Sequence, residues 1–122
     1  MKKRIFVSFD SDNDLDKKNL LVDQSRLNDS PFEVNDWSSE EAESERNWKE
    51  KAREKIKRSD IVLVIAGSYT YRASGVKKEV KIAREEKIPI VQIKSHGTNP
   101  YSVQDAGILY DWTWENLKRL LG

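Results

Sequence analysis

The stretch Ile61–Lys94, IVLVIAGSYTYRASGVKKEVKIAREEKIPIVQIK, decides the fold. Its first six residues, Ile61 to Ala66, form a continuous apolar run rich in β-branched side chains, the pattern of a strand covered on both faces of a parallel sheet. The run breaks at Gly67, helical periodicity begins after Gly75, and a second apolar run follows from Ile90 to Ile93. Lys87, Ile88 and Pro89 are expected to stop the helix, because the residue before a proline is pushed out of the α region. The segment therefore reads as a βαβ unit.

Within its helix, at about 100° per residue, Val80 and Ala83 fall within about 40° of Val76 and make the inward stripe. Glu79 lies on the edge of that stripe, between Val76 and Ile82, about one turn from the helix start, where the macrodipole favours an anion. An acid in that place either complements the dipole or serves a site.

Working outward, Ile5 to Phe9 reads as a first strand ending in the polar run Asp10-Ser11-Asp12-Asn13-Asp14, whose acids and serine suit the N-cap of a helix over Asp14–Leu27. A turn at Asn28–Pro31 leads to a second strand, Phe32–Trp37, at or near an edge, with Phe32, Val34 and Asp36 alternating against Glu33, Asn35 and Trp37. A helix from about Arg46 carries Trp48, Ala52 and Ile56 on one face. Glu40, Glu41, Glu43 and Glu45 precede it, and Lys55, Lys57 and Arg58 finish it, the charge order the dipole prefers. Ser95–Gly107 reads as a long loop holding the only histidine, His96, which has no partner at ligand spacing. A short strand over Ile108–Trp112 and an amphipathic helix with Trp114, Leu117, Leu120 and Leu121 end the chain.

Alternating strands and helices with short connections imply a parallel sheet with helices on both faces. For a chain of this size the expected solution is a flavodoxin-like α/β/α fold with strand order 2-1-3-4-5, whose ligand crevice lies at the carboxyl ends of the first and third strands. Those ends are Phe9–Asp14 and Gly67–Arg72, and the helix bearing Glu79 follows directly from the second.

The bulk numbers agree with one domain over residues 1–122. Of 122 residues, 37% are hydrophobic and 35% charged, so a compact core under a mixed-charge surface is expected. With 22 basic against 21 acidic residues the net charge is +1, which leaves no field to recruit nucleic acid or an anionic membrane. There are no cysteines, which removes disulfides, thiolate catalysis and zinc–thiolate sites. No signal peptide or membrane span is visible, and a cytoplasmic location is expected. Asp10-x-Asp12-x-Asp14 opens like a calcium loop, but Leu15 and Leu21 stand where that loop needs Gly and Glu. A receiver domain would need an aspartate where Gly67 and Ser68 stand, and neither a P-loop nor a Rossmann glycine fingerprint is present.

The motifs FVSFDSDND, SDIVLVIAGSYT and VKKEVKIAREEKIPIVQIK resemble the bacterial and archaeal TIR-like domains, in particular the TIR-like sensor of the Thoeris anti-phage system, over about Lys3 to Leu121. The resemblance implies an enzyme that cleaves NAD⁺ as its substrate, with no further cofactor and no metal, at the nicotinamide–ribose bond. It implies a cyclic ADP-ribose-type signal, a phage-derived trigger, a downstream effector that senses the product, and either a homo-oligomer or TIR–TIR contacts. Glu79 aligns with the family's essential glutamate. Gly75 stands where the family carries a tryptophan four residues before it, so an aromatic wall would have to come from Trp37 or Tyr69.

The roles expected on this basis are specific. Glu79 orients the ribose and stabilises its developing cation. Ser68 and Arg72 with the backbone amides after the third strand contact phosphates, Phe9 and Trp37 pack on the rings, and Asp10 or Asp12 accepts from ribose hydroxyls. Ser11 and Tyr69 complete the substrate-binding set. Two other functions compete: a non-catalytic TIR interaction module, which Gly75 favours, and a nucleoside deoxyribosyltransferase-like enzyme, which shares the sheet and a catalytic glutamate.

Overall fold

A computed structural model of the chain describes residues 2–38, 44–95 and 100–122. Its elements are β1 (Lys3–Ser8), α1 (Leu15–Ser25), β2 (Phe32–Trp37), α2 (Glu45–Lys57), β3 (Ile61–Ala66), a 3₁₀ turn (Thr70–Arg72), α3 (Ser74–Glu85), β4 (Ile90–Lys94), β5 (Leu109–Asp111) and α4 (Trp114–Leu121). All pairings are parallel and the strand order is β2-β1-β3-β4-β5, the flavodoxin-like arrangement expected from the alternation of elements. Among the described residues no helix is long and apolar enough to cross a membrane.

The central strand β3 is buried along its whole length, as a non-alternating apolar run requires. Its odd-numbered residues Ile61, Leu63 and Ile65 join Ile5, Val7, Leu21, Leu117 and Leu121 in a core under α1 and α4. Its even-numbered residues Val62 and Val64 join Phe6, Ala52, Ile56, Val76, Val80 and Ala83 in a second core under α2 and α3. The period-two geometry of the strand thus assigns each helix pair to its own face.

β2 departs from simple alternation. Ile5 pairs with Val34 but Phe6 pairs with Asp36, so a register shift inserts an extra residue at Asn35. Such a bulge reverses which side chains face which layer. Phe32 and Val34 lie with the α1/α4 core, whereas Asp36 faces α2 and meets Lys55 Nζ at 3.7 Å. Trp37, paired with Val7, is turned toward α1, where the Lys18 ammonium lies 4.4 Å from its ring centre.

Other boundaries differ from the sequence expectation by a residue or two. α1 runs from Leu15 to Ser25, and Asp14 sits at its N-cap without a side-chain capping bond. The final strand is only Leu109–Asp111, because Gly107 turns the chain at φ 85° and leaves Ile108 exposed, while Trp112 is buried in the core. α3 ends at Glu85, and the backbone of Lys87 and Ile88, just ahead of Pro89, closes it. Lys87 adopts the left-handed region at φ 59°, its N–H donates to Arg84 O, and the Ile88 N–H donates to Ala83 O at 2.9 Å. This is a Schellman ending, with Ile88 folded back against the second core. His96, Glu40, Glu41 and Glu43 lie outside the described residues.

Candidate active site at the carboxyl ends of β1 and β3

The crevice expected at the topological switch is present as a cleft of about 720 Å³. It is bounded by the chain after β1 (Phe9–Asn13), by Ser38, by Trp48 of α2, by Tyr69 and Arg72 after β3, and by the start of α3 from Ala73 to Val76, with Glu79 in its wall. A pocket of this size is in the range that holds a small ligand or cofactor.

The β1 side is shaped by Asp10, only 8% exposed. One of its carboxylate oxygens accepts the Asp12 N–H at 3.1 Å and the other accepts Asn13 Nδ2 at 2.7 Å. Its main-chain carbonyl accepts the N–H groups of Asn13 and Asp14. Asp10 therefore folds the loop that presents Ser11 and the exposed Asp12 to the cleft. Asp14 turns away from its own helix: the Thr70 hydroxyl donates to its Oδ2 at 3.1 Å and itself accepts the Gly67 N–H at 2.8 Å. A Cβ added at Gly67 would overlap the Asp14 carboxylate, so glycine is what leaves room for that side chain against the end of β3. Burial raises the Asp14 carboxyl above its ordinary 3.8. The Thr70 hydrogen bond opposes that shift, and the neighbouring charge of Asp10 adds to it.

On the β3 side, the Arg72 guanidinium lies 4.8 Å from the centre of the Tyr69 ring, and both line the cleft. α3 begins at Ser74 with no side-chain cap from Ala73, and its first residues Ser74, Gly75 and Val76 line the cleft.

Glu79 is 1% exposed, although its angular position placed it at the rim of the apolar stripe. Its Oε1 accepts the Ser8 hydroxyl at 2.7 Å and the Ser38 hydroxyl at 2.5 Å. Ser8 follows Phe6 on the α2/α3 face of β1, and the bulge in β2 brings Ser38 to the same face. Ser38 Oγ also accepts the Phe9 N–H at 3.2 Å, tying the end of β2 to the loop that borders the cleft.

Of the residues expected at the site, the structure brings together Glu79, Phe9, Asp10, Ser11, Asp12, Tyr69 and Arg72. Trp37 and Ser68 are not in the lining. Trp37 faces α1 because of the bulge, and Ser68 is exposed beyond the end of β3. Residues that the sequence reading passed over are Ser8, Ser38, Asn13, Trp48 and Ser74. Trp48 read as the first rung of the α2 core stripe; it is 3% exposed and supplies an indole to the cleft wall. Ser8 carried a usable signal, being a polar residue in a buried strand on the face that packs against Glu79. Among the described residues no cluster of carboxylates or histidine could hold a metal ion.

No curated protein matches the chain in sequence. A family model described as Thoeris protein ThsB, TIR-like domain, matches residues 6–100, from β1 through β4 and into the following loop. That span includes every element that borders the cleft, and the sheet order is the one expected from the alternation of elements. The chain belongs to the TIR-like family of the Thoeris protein ThsB.

Proposed function

We propose that this protein is an NAD⁺-cleaving enzyme that makes an ADP-ribose-type signalling nucleotide in anti-phage defence, with Glu79 as its catalytic residue. The observation that carries this reading is a carboxylate, 1% exposed, in the wall of a cleft at the topological switch point. In NAD⁺ the leaving group is a cationic pyridinium. The C1′–N bond breaks with its electron pair going to the ring nitrogen, so nicotinamide departs neutral and needs no proton. An ordinary glycosidase needs a second carboxyl to protonate its leaving group; here one anion near the sugar suffices. Glu79 stabilises the cation that develops at C1′ and holds the ribose. Water or a nucleophilic atom of the same molecule then takes C1′, giving ADP-ribose or a cyclised isomer.

The remaining roles follow from placement. Arg72 and the first amides of α3 suit the diphosphate, since a helix start with no side-chain cap favours an anion. Phe9, Tyr69 and Trp48 offer ring surfaces, with Trp48 supplying from α2 an aromatic wall that Gly75 does not. Asp12 is the acceptor for ribose hydroxyls, because Asp10 is committed to its own loop. The product would act on a separate effector, and contacts between TIR-like domains would bring copies together. A non-catalytic module is the second reading, favoured by Gly75 in the lining.

The test is nicotinamide release from NAD⁺ by the protein alone and with phage-infected lysate, compared with Glu79→Gln. Gln keeps the shape of Glu79 and an oxygen for the two serine hydroxyls, so the variant is expected to fold. Release is expected to fall by at least about a hundredfold, the scale of losing a preorganised electrostatic stabiliser. No release under any condition would leave the binding module. Deoxyribose exchange between bases would establish the transferase instead.

A further inference from the structure

We infer that Ser8 and Ser38 are positioning residues that hold the Glu79 carboxyl fixed in the cleft wall. The inference rests on the reading of Glu79 as the group that meets the ribose. Both hydroxyls reach the same oxygen, Oε1, at 2.7 and 2.5 Å. The Ser38 oxygen already accepts the Phe9 N–H, so its single proton has two acceptors in reach: Oε1 and, at 3.5 Å, the Val7 carbonyl. The shorter contact assigns the proton to Oε1. Ser8 is 0% exposed and donates to the same atom. Oε1 accepts two hydroxyl protons and so is not the protonated oxygen of the group; two donors on one oxygen fix the plane and the rotamer of the carboxyl.

The origin of the two donors matters as much as their number. Ser8 ends β1 and Ser38 follows β2, and these strands are rigidly paired, so the carboxylate of a helical residue is referenced to the sheet. The bulge at Asn35 is what makes this possible, because without the register shift Ser38 would face α1. Holding a reacting group by locked neighbours is how a site keeps its geometry when a ligand enters.

The experiment uses the whole protein with Ser8→Ala, Ser38→Ala and Ser38→Thr. Each alanine variant is expected to lower kcat for nicotinamide release by about tenfold or more, the effect of one charge-assisted hydrogen bond, with KM changed less than about threefold. Ser38→Thr restores the donor and is expected to recover kcat to within a few-fold, a rescue that mere loss of packing would not show. Unchanged kcat in both alanine variants would overturn the inference. If the unaltered protein releases no nicotinamide, the catalytic reading fails by itself. The positioning role is then decided by the side-chain carboxyl carbon resonance of Glu79, assigned by its loss in Glu79→Gln. Displacement of that resonance in Ser8→Ala and Ser38→Ala supports the inference, and an unmoved resonance overturns it.

Discussion

Asp14 occupies the N-cap of α1, yet its carboxylate is 5% exposed and turned to Thr70 and Gly67 rather than to the helix amides. Its raised pKa, caused first by burial, fixes the sign of its effect on stability. The neutral form is the better tolerated one, so Asp14 contributes most below its unfolded value near 3.8, and that contribution is lost as pH rises through the raised folded value. Asn at this position keeps an oxygen for the Thr70 hydroxyl and carries no charge. The Asp14→Asn variant should therefore gain stability relative to the natural protein as pH rises from about 3.8 toward neutrality, measured by urea unfolding at a series of pH values. A gap that stays constant with pH would show that burial does not govern this carboxyl. Residue identity alone did not reveal the arrangement. A run of acids after a strand suggests caps, and only the approach of the α1 start to the turn at Gly67–Thr70 makes one of them a buried group.

At the scale of elements, the end of α3 places a lysine where glycine is the usual choice. Lys87 sits at φ 59°, held there by the bonds of its own N–H to Arg84 O and of Ile88 N–H to Ala83 O. A Cβ in the left-handed region costs about 1–2 kcal/mol, part of which glycine returns through its freer unfolded chain. Lys87→Gly should stabilise the protein by about 0.5–1 kcal/mol, read from the shift of the urea midpoint at unchanged slope. Loss of stability would mean that the lysine stem contributes packing beyond this backbone effect. The elements themselves were largely legible in the sequence: β3 as an unbroken apolar run, α3 from its stripe, and the strand order from alternation. β2 was the exception. Its Phe32–Val34–Asp36 alternation suggests one continuous face, but the extra residue at Asn35 reverses the faces beyond it. That single insertion sends Trp37 to α1 and Ser38 to Glu79, so the expected tryptophan lies away from the site and a serine takes a place in it. Register shifts depend on pairing with β1, and no local pattern in β2 announces one.

For the whole molecule, the sheet separates the Glu79 side of the site from the α1/α4 core, and Phe9 is the residue that belongs to both that core and the cleft lining. Leu117 of α4 is 0% exposed and packs with Leu21, Phe32 and Leu121 on the α1/α4 side. Glu79, Ser8, Ser38 and Trp48 belong to the α2/α3 side. Leu117→Ala should cost about 2–5 kcal/mol through lost burial and the cavity left behind, a large share of the roughly 5–15 kcal/mol that holds a domain of this size. Because Glu79 and both of its serine partners lie on the other face of the sheet, and only Phe9 joins this core to the cleft lining, turnover per folded molecule should stay within about twofold of the natural protein. Trp48→Ala should show the opposite combination. It removes a comparable buried side chain, at about 3–5 kcal/mol, and also an aromatic wall of the cleft, so kcat/KM for NAD⁺ should fall along with stability. Urea unfolding with nicotinamide release measured on the same samples separates the two. A large loss of turnover in folded Leu117→Ala would mean that the sheet transmits packing changes from one face to the other, and that the site depends on the core beneath it as well as on its own lining.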